Sequence, residues 1–176
     1  MLIIADHPWT YDKIIPGLYQ GSKPPYGTAL SELGIDMLIL AAREIQPASV
    51  YYPDVEVVRA PIDDLPGEKP LDRQGLHWVV GAARRAANAL SEGKRVMVTC
   101  AAGMNRSGLV TAVTLIMHKG LSGRAAIELI RRTRRWGEDG YKPLSNPQFV
   151  QMLSRISGKS LPQPEPLEVC VEVAWQ

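Results

Sequence analysis

Two consecutive stretches restrict what this chain can fold into more than any other feature. Val96-Met97-Val98 is a continuous apolar run with no polar alternation, and Ser107 to His118 carries apolar residues almost all round (Leu109, Val110, Val113, Leu115, Ile116). A strand apolar on both faces is covered on both sides, and a helix without a polar face is deeply buried. The pair therefore reads as a central strand feeding a core helix. Further β-prone runs lie at Leu18–Gln20, Met37–Leu40 and Val55–Arg59, and the central one extends over Arg95–Thr99. Leu76, Val79, Val80, Ala83, Ala86, Ala87 and Leu90 recur at helical spacing up to a stop at Gly93. Ser122 can cap a helix running to about Arg135, and Asn146-Pro147 starts another with Phe149, Val150, Leu153 and Ile156 as its buried stripe. Alternation of this kind predicts a single compact α/β domain: a central, mostly parallel sheet of about four or five strands flanked by helices on both faces.

At 176 residues and 45% hydrophobic types, the chain is long enough to bury a core without disulfides or metal. Its net charge of +2 argues against nucleic acid or an anionic membrane as a partner. The longest apolar run, Met37 to Ala42, is too short to span a bilayer. The N-terminus lacks both a basic start and a full apolar segment, so a cytoplasmic location is expected. Cys100 and Cys170 make no disulfide framework, and the scattered His7, His77 and His118 form no metal set, so no cofactor is expected. The organisation divides at 158. Residues 1–158 carry the domain, whereas 159–176 hold a Pro-rich connector and then Leu167, Val169, Val171, Val173 and Trp175 at a two-residue period. That tail predicts an edge strand, paired either with Leu2–Ile4 or with another protomer in a homodimer.

The chemistry is concentrated in Cys100-Ala101-Ala102-Gly103-Met104-Asn105-Arg106-Ser107-Gly108. A loop running from a buried strand into a helix N-terminus can aim several N–H groups at one point, which suits a phosphate. Gly103 lets the backbone turn where a Cβ would obstruct. Those N–H groups and a guanidinium stabilise a thiolate at Cys100, the form that attacks. Arg106, six residues on, can fold its planar fork back over the anion, and the Ser107 hydroxyl can assist the sulfur as it leaves. Taken singly, such a cysteine is ordinarily a small core residue and such an arginine a solvated one. Their combination with Gly103 and Ser107 in a strand–loop–helix setting is what points to a site.

Cys100-x5-Arg106-Ser107 resembles the signature loop of the cysteine-dependent protein-tyrosine phosphatase superfamily, in its dual-specificity-like branch. Ile14 to Ser22, Leu33 to Ile39 and Leu144 to Phe149 resemble the branch's opening segment, second strand and last helix start, so the likeness spans roughly Tyr11 to Ile156. The resemblance implies a phosphatase of phosphorylated proteins or peptides, tyrosine first and serine or threonine possible, working through a cysteinyl-phosphate without metal. It implies Cys100 as nucleophile, Arg106 as phosphate binder, Ser107 as helper of the second step, and the N–H groups of Ala101, Ala102, Gly103, Met104, Asn105 and Arg106 as the cradle. It also implies a general acid on the preceding loop. In Pro61-Ile62-Asp63-Asp64, before Pro66-Gly67, the pattern places Asp64 there, with Asp63 as the alternative.

Thr99 stands where the family usually has histidine, which implies slower or alkaline-shifted turnover. The loop's variable positions hold no lysine or extra arginine and give inositol phospholipids no support. Asn105-Arg106-Ser107-Gly108 has a short likeness to RNA 5′-triphosphatases, which keeps that activity, or a small-molecule phosphatase, as an alternative. A phosphate-binding module without turnover is the other. Arg124, Arg131, Arg132, Arg134 and Arg135 read as a solvated helix face or as a lining of the route to the site. Trp136 and Tyr141 are candidates for a pocket wall, and Cys170 reads as structural.

Overall fold

In a computed structural model, the described residues are 9–64, 71–134 and 141–156. The expected tail strand with Cys170, Leu2–Ile4 as one of its two candidate partners, the connector, the 158 boundary, His7, Pro66-Gly67, Arg135 and Trp136 lie outside them.

Five strands form one sheet in the order β1-β2-β5-β3-β4. They are β1 (Tyr11–Ile15), β2 (Leu18–Gly21), β3 (Met37–Ala42), β4 (Glu56–Ile62) and β5 (Val96–Thr99). β1 and β2 are antiparallel, and the other pairings are parallel. Every residue of β3 and β5 is buried, as strands covered on both faces require. The two-residue period sorts them. Met37, Ile39, Ala41, Val96 and Val98 face the larger core, and Leu38, Leu40 and Met97 face the smaller one.

The helices are α1 (Ala29–Glu32), α2 (Arg73–Ser91), α3 (Arg106–Lys119), α4 (Gly123–Thr133) and α5 (Pro147–Ser154). Both faces of the sheet are covered, but unequally. Residues of α2, α3, α4 and α5 all join the larger core, while the short α1 supplies Leu30 to the smaller one beside Tyr52 and Ile35. α3 is buried from Arg106 through Ile116, as its unbroken apolar pattern requires. Ser122 caps α4 by accepting from the Ala125 N–H, and Asn146 caps α5 by accepting from that of Gln148.

Three elements differ from the sequence expectation. β1 has no run of its own because Asp12 and Lys13 interrupt its apolar residues. It forms because Pro16 and Gly17 (φ +83°) turn the chain back onto β2. β4 continues through Pro61 to Ile62, beyond the expected Arg59, because an edge strand tolerates a residue without an N–H. α4 stops at Thr133, and Arg134 is already extended (φ −79°, ψ 115°).

The α4–α5 contact sets up a direct test of packing. A Cβ on Gly123 would sit 1.7 Å from the Leu153 carbonyl oxygen, a backbone atom, whereas one on Gly81 within α2 meets nothing within 4 Å. Gly81→Ala is expected to stabilise the fold by about 0.5–1 kcal/mol. Gly123→Ala is expected to destabilise it by about 2 kcal/mol or more, lowering Tm by about 4 °C or more. Calorimetric unfolding of the two variants checks the opposite signs.

Candidate active site

Cys100 directly follows the central strand, buried, with its N–H donating to the Gly21 carbonyl at 3.3 Å. The chain then loops through Ala101–Asn105 and enters α3 at Arg106. Ala101 and Ala102 are exposed, while Gly103 and Met104 are buried. Gly103 has φ +73°, and a Cβ there would lie 2.4–2.6 Å from backbone atoms of Gly21 and Ser22. Glycine is therefore required both for its conformation and for the close approach of the loop to the end of β2.

The loop is tied down from three directions. Gln20 Nε2 and Arg134 Nε donate to the Gly103 carbonyl at 3.0 and 3.1 Å. The Leu144 N–H donates to the Met104 carbonyl at 3.2 Å. Asn105 Oδ1 accepts from the Ser145 N–H (2.8 Å), the Ser145 hydroxyl (3.2 Å) and the Asn146 N–H (3.1 Å). Its carbonyl group thus has a local bracing role.

Cys100 Sγ lies 3.3 Å from the Ser107 hydroxyl oxygen. Arg106 is 8% exposed, and its Nη1 donates to Glu44 Oε2 at 2.5 Å. Its buried Nε–H has no hydrogen-bond partner among the described residues. An unsatisfied buried donor is costly, and an oxyanion between Arg106 and Cys100 would satisfy it. Burial works against the Arg106 charge, but the Glu44 bond and the charges of Cys100, Glu44 and Asp64 outweigh it and raise the guanidinium above its ordinary value. The same bond holds Glu44 below the usual carboxylate value of 4.5.

The adjacent carboxylates part ways. Asp63 is exposed and pairs with Arg43 at 3.2 Å. Asp64 is half-buried, contributes to the field at Arg106, and accepts from Asn146 Nδ2 at 2.8 Å. The capping bond from the Gln148 N–H to Asn146 Oδ1 (3.0 Å) fixes the amide so that its NH2 faces Asp64. The Thr99 hydroxyl donates to the Ile39 carbonyl at 3.2 Å and so belongs to the sheet.

The structure thus brings Cys100, Arg106, Ser107 and the loop together, with Asp64 near enough to contribute to the field at Arg106. Tyr141 is 67% exposed. The arginine run is not one solvated face. Arg124 and Arg132 are exposed, but Arg131 donates to the carbonyls of Pro143 and Leu144 (3.2 and 2.8 Å), and Arg134 is buried beneath the loop. Glu44, Gln20 and the bracing roles of Arg134 and Asn146 were not singled out from the sequence. A buried-strand glutamine next to Gly21 was the one local hint. Among the described residues no three His, Cys, Asp or Glu side chains converge as a metal set, and no helix is long and apolar enough to cross a membrane.

A buried thiol after a central parallel strand is thus joined by a short loop to a buried arginine at a helix start. The chain belongs to the dual-specificity phosphatase family, within the cysteine-based protein-tyrosine phosphatase superfamily, whose model "Dual specificity phosphatase, catalytic domain" matches residues 18–156. It is 28% identical over 160 residues to human dual specificity phosphatase 28, covering 88% of this chain and 84% of the relative. A crystal structure of mouse putative dual specificity phosphatase complexed with zinc tungstate superposes with TM-score 0.64 at 24% identity, covering 84% of this chain and 89% of the other. The crystal structure of human DUSP28 gives TM-score 0.61 at 23% identity, covering 82% and 92%.

The Glu44–Arg106 pair carries a pH signature. Because the folded Glu44 value is depressed, the pair stabilises the fold fully above 4.5 and is lost as pH falls through the lower folded value. The Tm difference between wild type and Glu44→Gln is expected to be constant from about pH 6 upward and to shrink below the usual glutamate range. Thermal melts across pH in a non-phosphate buffer check it.

Proposed function

We propose that the protein hydrolyses phosphate monoesters on proteins, phosphotyrosine first and phosphoserine or phosphothreonine also, through a cysteinyl-phosphate. The buried Nε–H of Arg106 beside Cys100, without a partner among the described residues, carries this reading. It supplies a directional donor where a phosphoryl oxygen would sit, and membership of the phosphatase family supports it.

The Cys100 thiolate attacks phosphorus while Arg106 and the N–H groups from Ala101 to Arg106 hold the equatorial oxygens. The ester P–O bond breaks and Asp64, protonated, gives its proton to the departing oxygen. Water then attacks phosphorus with Asp64 taking its proton, the S–P bond breaks to release inorganic phosphate, and the Ser107 hydroxyl stabilises the departing thiolate. The positive charge this chemistry needs comes from Arg106 and the loop, so the route uses no metal. Asn146, by donating to Asp64 Oδ1, leaves Oδ2 to carry the transferred proton. Thr99 favours one second reading, a phosphate-binding module without turnover, because its hydroxyl is engaged by Ile39 and does not reach the loop.

Hydrolysis of an aryl phosphate and of phosphotyrosine and phosphoserine peptides in EDTA separates these. Cys100→Ser is expected to lose about a thousandfold or more in turnover. Asp64→Asn should lose about a hundredfold on the phosphoserine peptide and less on the aryl ester, whose leaving group needs less help. Asn146→Ser keeps a helix cap and should follow the Asp64 pattern more weakly. Phosphopeptide binding without phosphate release by the wild type would favour the binding module. Release confined to triphosphate-ended RNA would favour the triphosphatase.

A further inference from the structure

Arg134 is 5% exposed and makes three directed bonds: Nε to the Gly103 carbonyl (3.1 Å), Nη1 to Asp12 Oδ2 (2.7 Å) and Nη2 to the Thr10 hydroxyl (2.9 Å). A buried guanidinium in this setting is expensive unless paired, and Asp12, itself mostly covered, supplies the counter-charge. The bond to Gly103 is the informative one. The Gly103 carbonyl belongs to the same peptide group as the Met104 N–H, and no cis peptide occurs among the described residues. In a trans peptide the C=O and N–H point in opposite directions. Gln20 and Arg134 hold that carbonyl toward β2 and the end of α4, so the Met104 N–H points the opposite way, away from both. A charge-assisted donor on the carbonyl also polarises the peptide and strengthens its N–H as a donor.

We propose that Arg134 is a positioning residue for oxyanion binding: its Nε–H fixes the Gly103–Met104 peptide so that the Met104 N–H faces the phosphoryl group. The effect runs through orientation more than through charge, because Asp12 offsets the guanidinium. This rests on the phosphatase reading of the loop and names one of its supports.

Two variants separate the bond from the charge. In Arg134→Lys the charge and a partner for Asp12 remain, but a methylene replaces Nε. In Asp12→Asn/Arg134→Gln the charge pair is removed together, while the glutamine Nε2 falls at the position of the arginine Nε. Inorganic phosphate is the probe, as a competitive inhibitor of aryl phosphate hydrolysis by the full chain, with thermal melts run alongside. Arg134→Lys should weaken phosphate about tenfold, the value of one good hydrogen bond, and the glutamine double variant should stay within about threefold of wild type. KM should rise with the phosphate Ki, by the same factor for aryl and alkyl esters, because the leaving group is not involved. A role in fold stability alone would lower Tm and leave Ki in place. A lysine variant that binds phosphate as wild type does, or a glutamine variant that loses as much as the lysine one, overturns the proposal. Failure of phosphate to compete in the wild type would overturn the phosphatase reading first and this inference with it.

Discussion

A loop that turns its N–H groups inward toward an anion must turn its carbonyls outward, into protein, and each outward carbonyl then needs a donor. Much of the molecule around the loop between β5 and α3 is arranged to meet that demand. The Gly103 oxygen is met by Gln20 from β2 and Arg134 from the end of α4, and the Met104 oxygen by the Leu144 N–H. The Asn105 oxygen is taken up by the Leu109 N–H in the first turn of α3. The parallel β2–β5 pairing brings Gln20 beneath the loop, and the path from α4 to α5 brings Leu144 over it. Fold and loop are therefore one problem: the loop's carbonyls find their donors where sheet, α4 and the α5 approach meet.

Charge is distributed with similar economy. A chain with a net charge of +2 has little general field, so its charge effects are local. Arg106 is buried and Glu44 is exposed, with side-chain exposures of 10% and 56%. One end of the guanidinium is anchored toward solvent while its Nε edge is kept inside. The exposed partner pairs with a single terminal nitrogen and leaves the inner edge without a partner among the described residues.

The legible parts of the sequence were those written contiguously. β5, the loop and α3 succeed one another, so burial pattern, glycine, cysteine and arginine could be read together. The capping residues Asp72, Ser122 and Asn146 act within three residues of their own position, and two of them were read as helix starts. The supports were not legible because their partners are remote in sequence: 62 residues for Arg106–Glu44, 83 for Gln20–Gly103 and 31 for Arg134–Gly103. Periodicity also cannot say which arginine of a basic run turns inward, and here Arg134 does so only because the helix has ended. Asp63 and Asp64 show the same limit at the scale of one residue: adjacency hides that one faces Arg43 and the other Asn146.

Leu144 adopts a left-handed backbone (φ 54°) and is nonetheless fully buried, its side chain filling the space beside Gly108. A Cβ on Gly108 would approach it to 2.9 Å. A glycine at 144 would relax the backbone but empty that space, and a larger residue at 108 would collide with the leucine. The two positions therefore share a single volume between them. Whatever change drift or engineering introduces on the first turn of α3 has to be answered on the approach to α5, so neither site is free to vary alone.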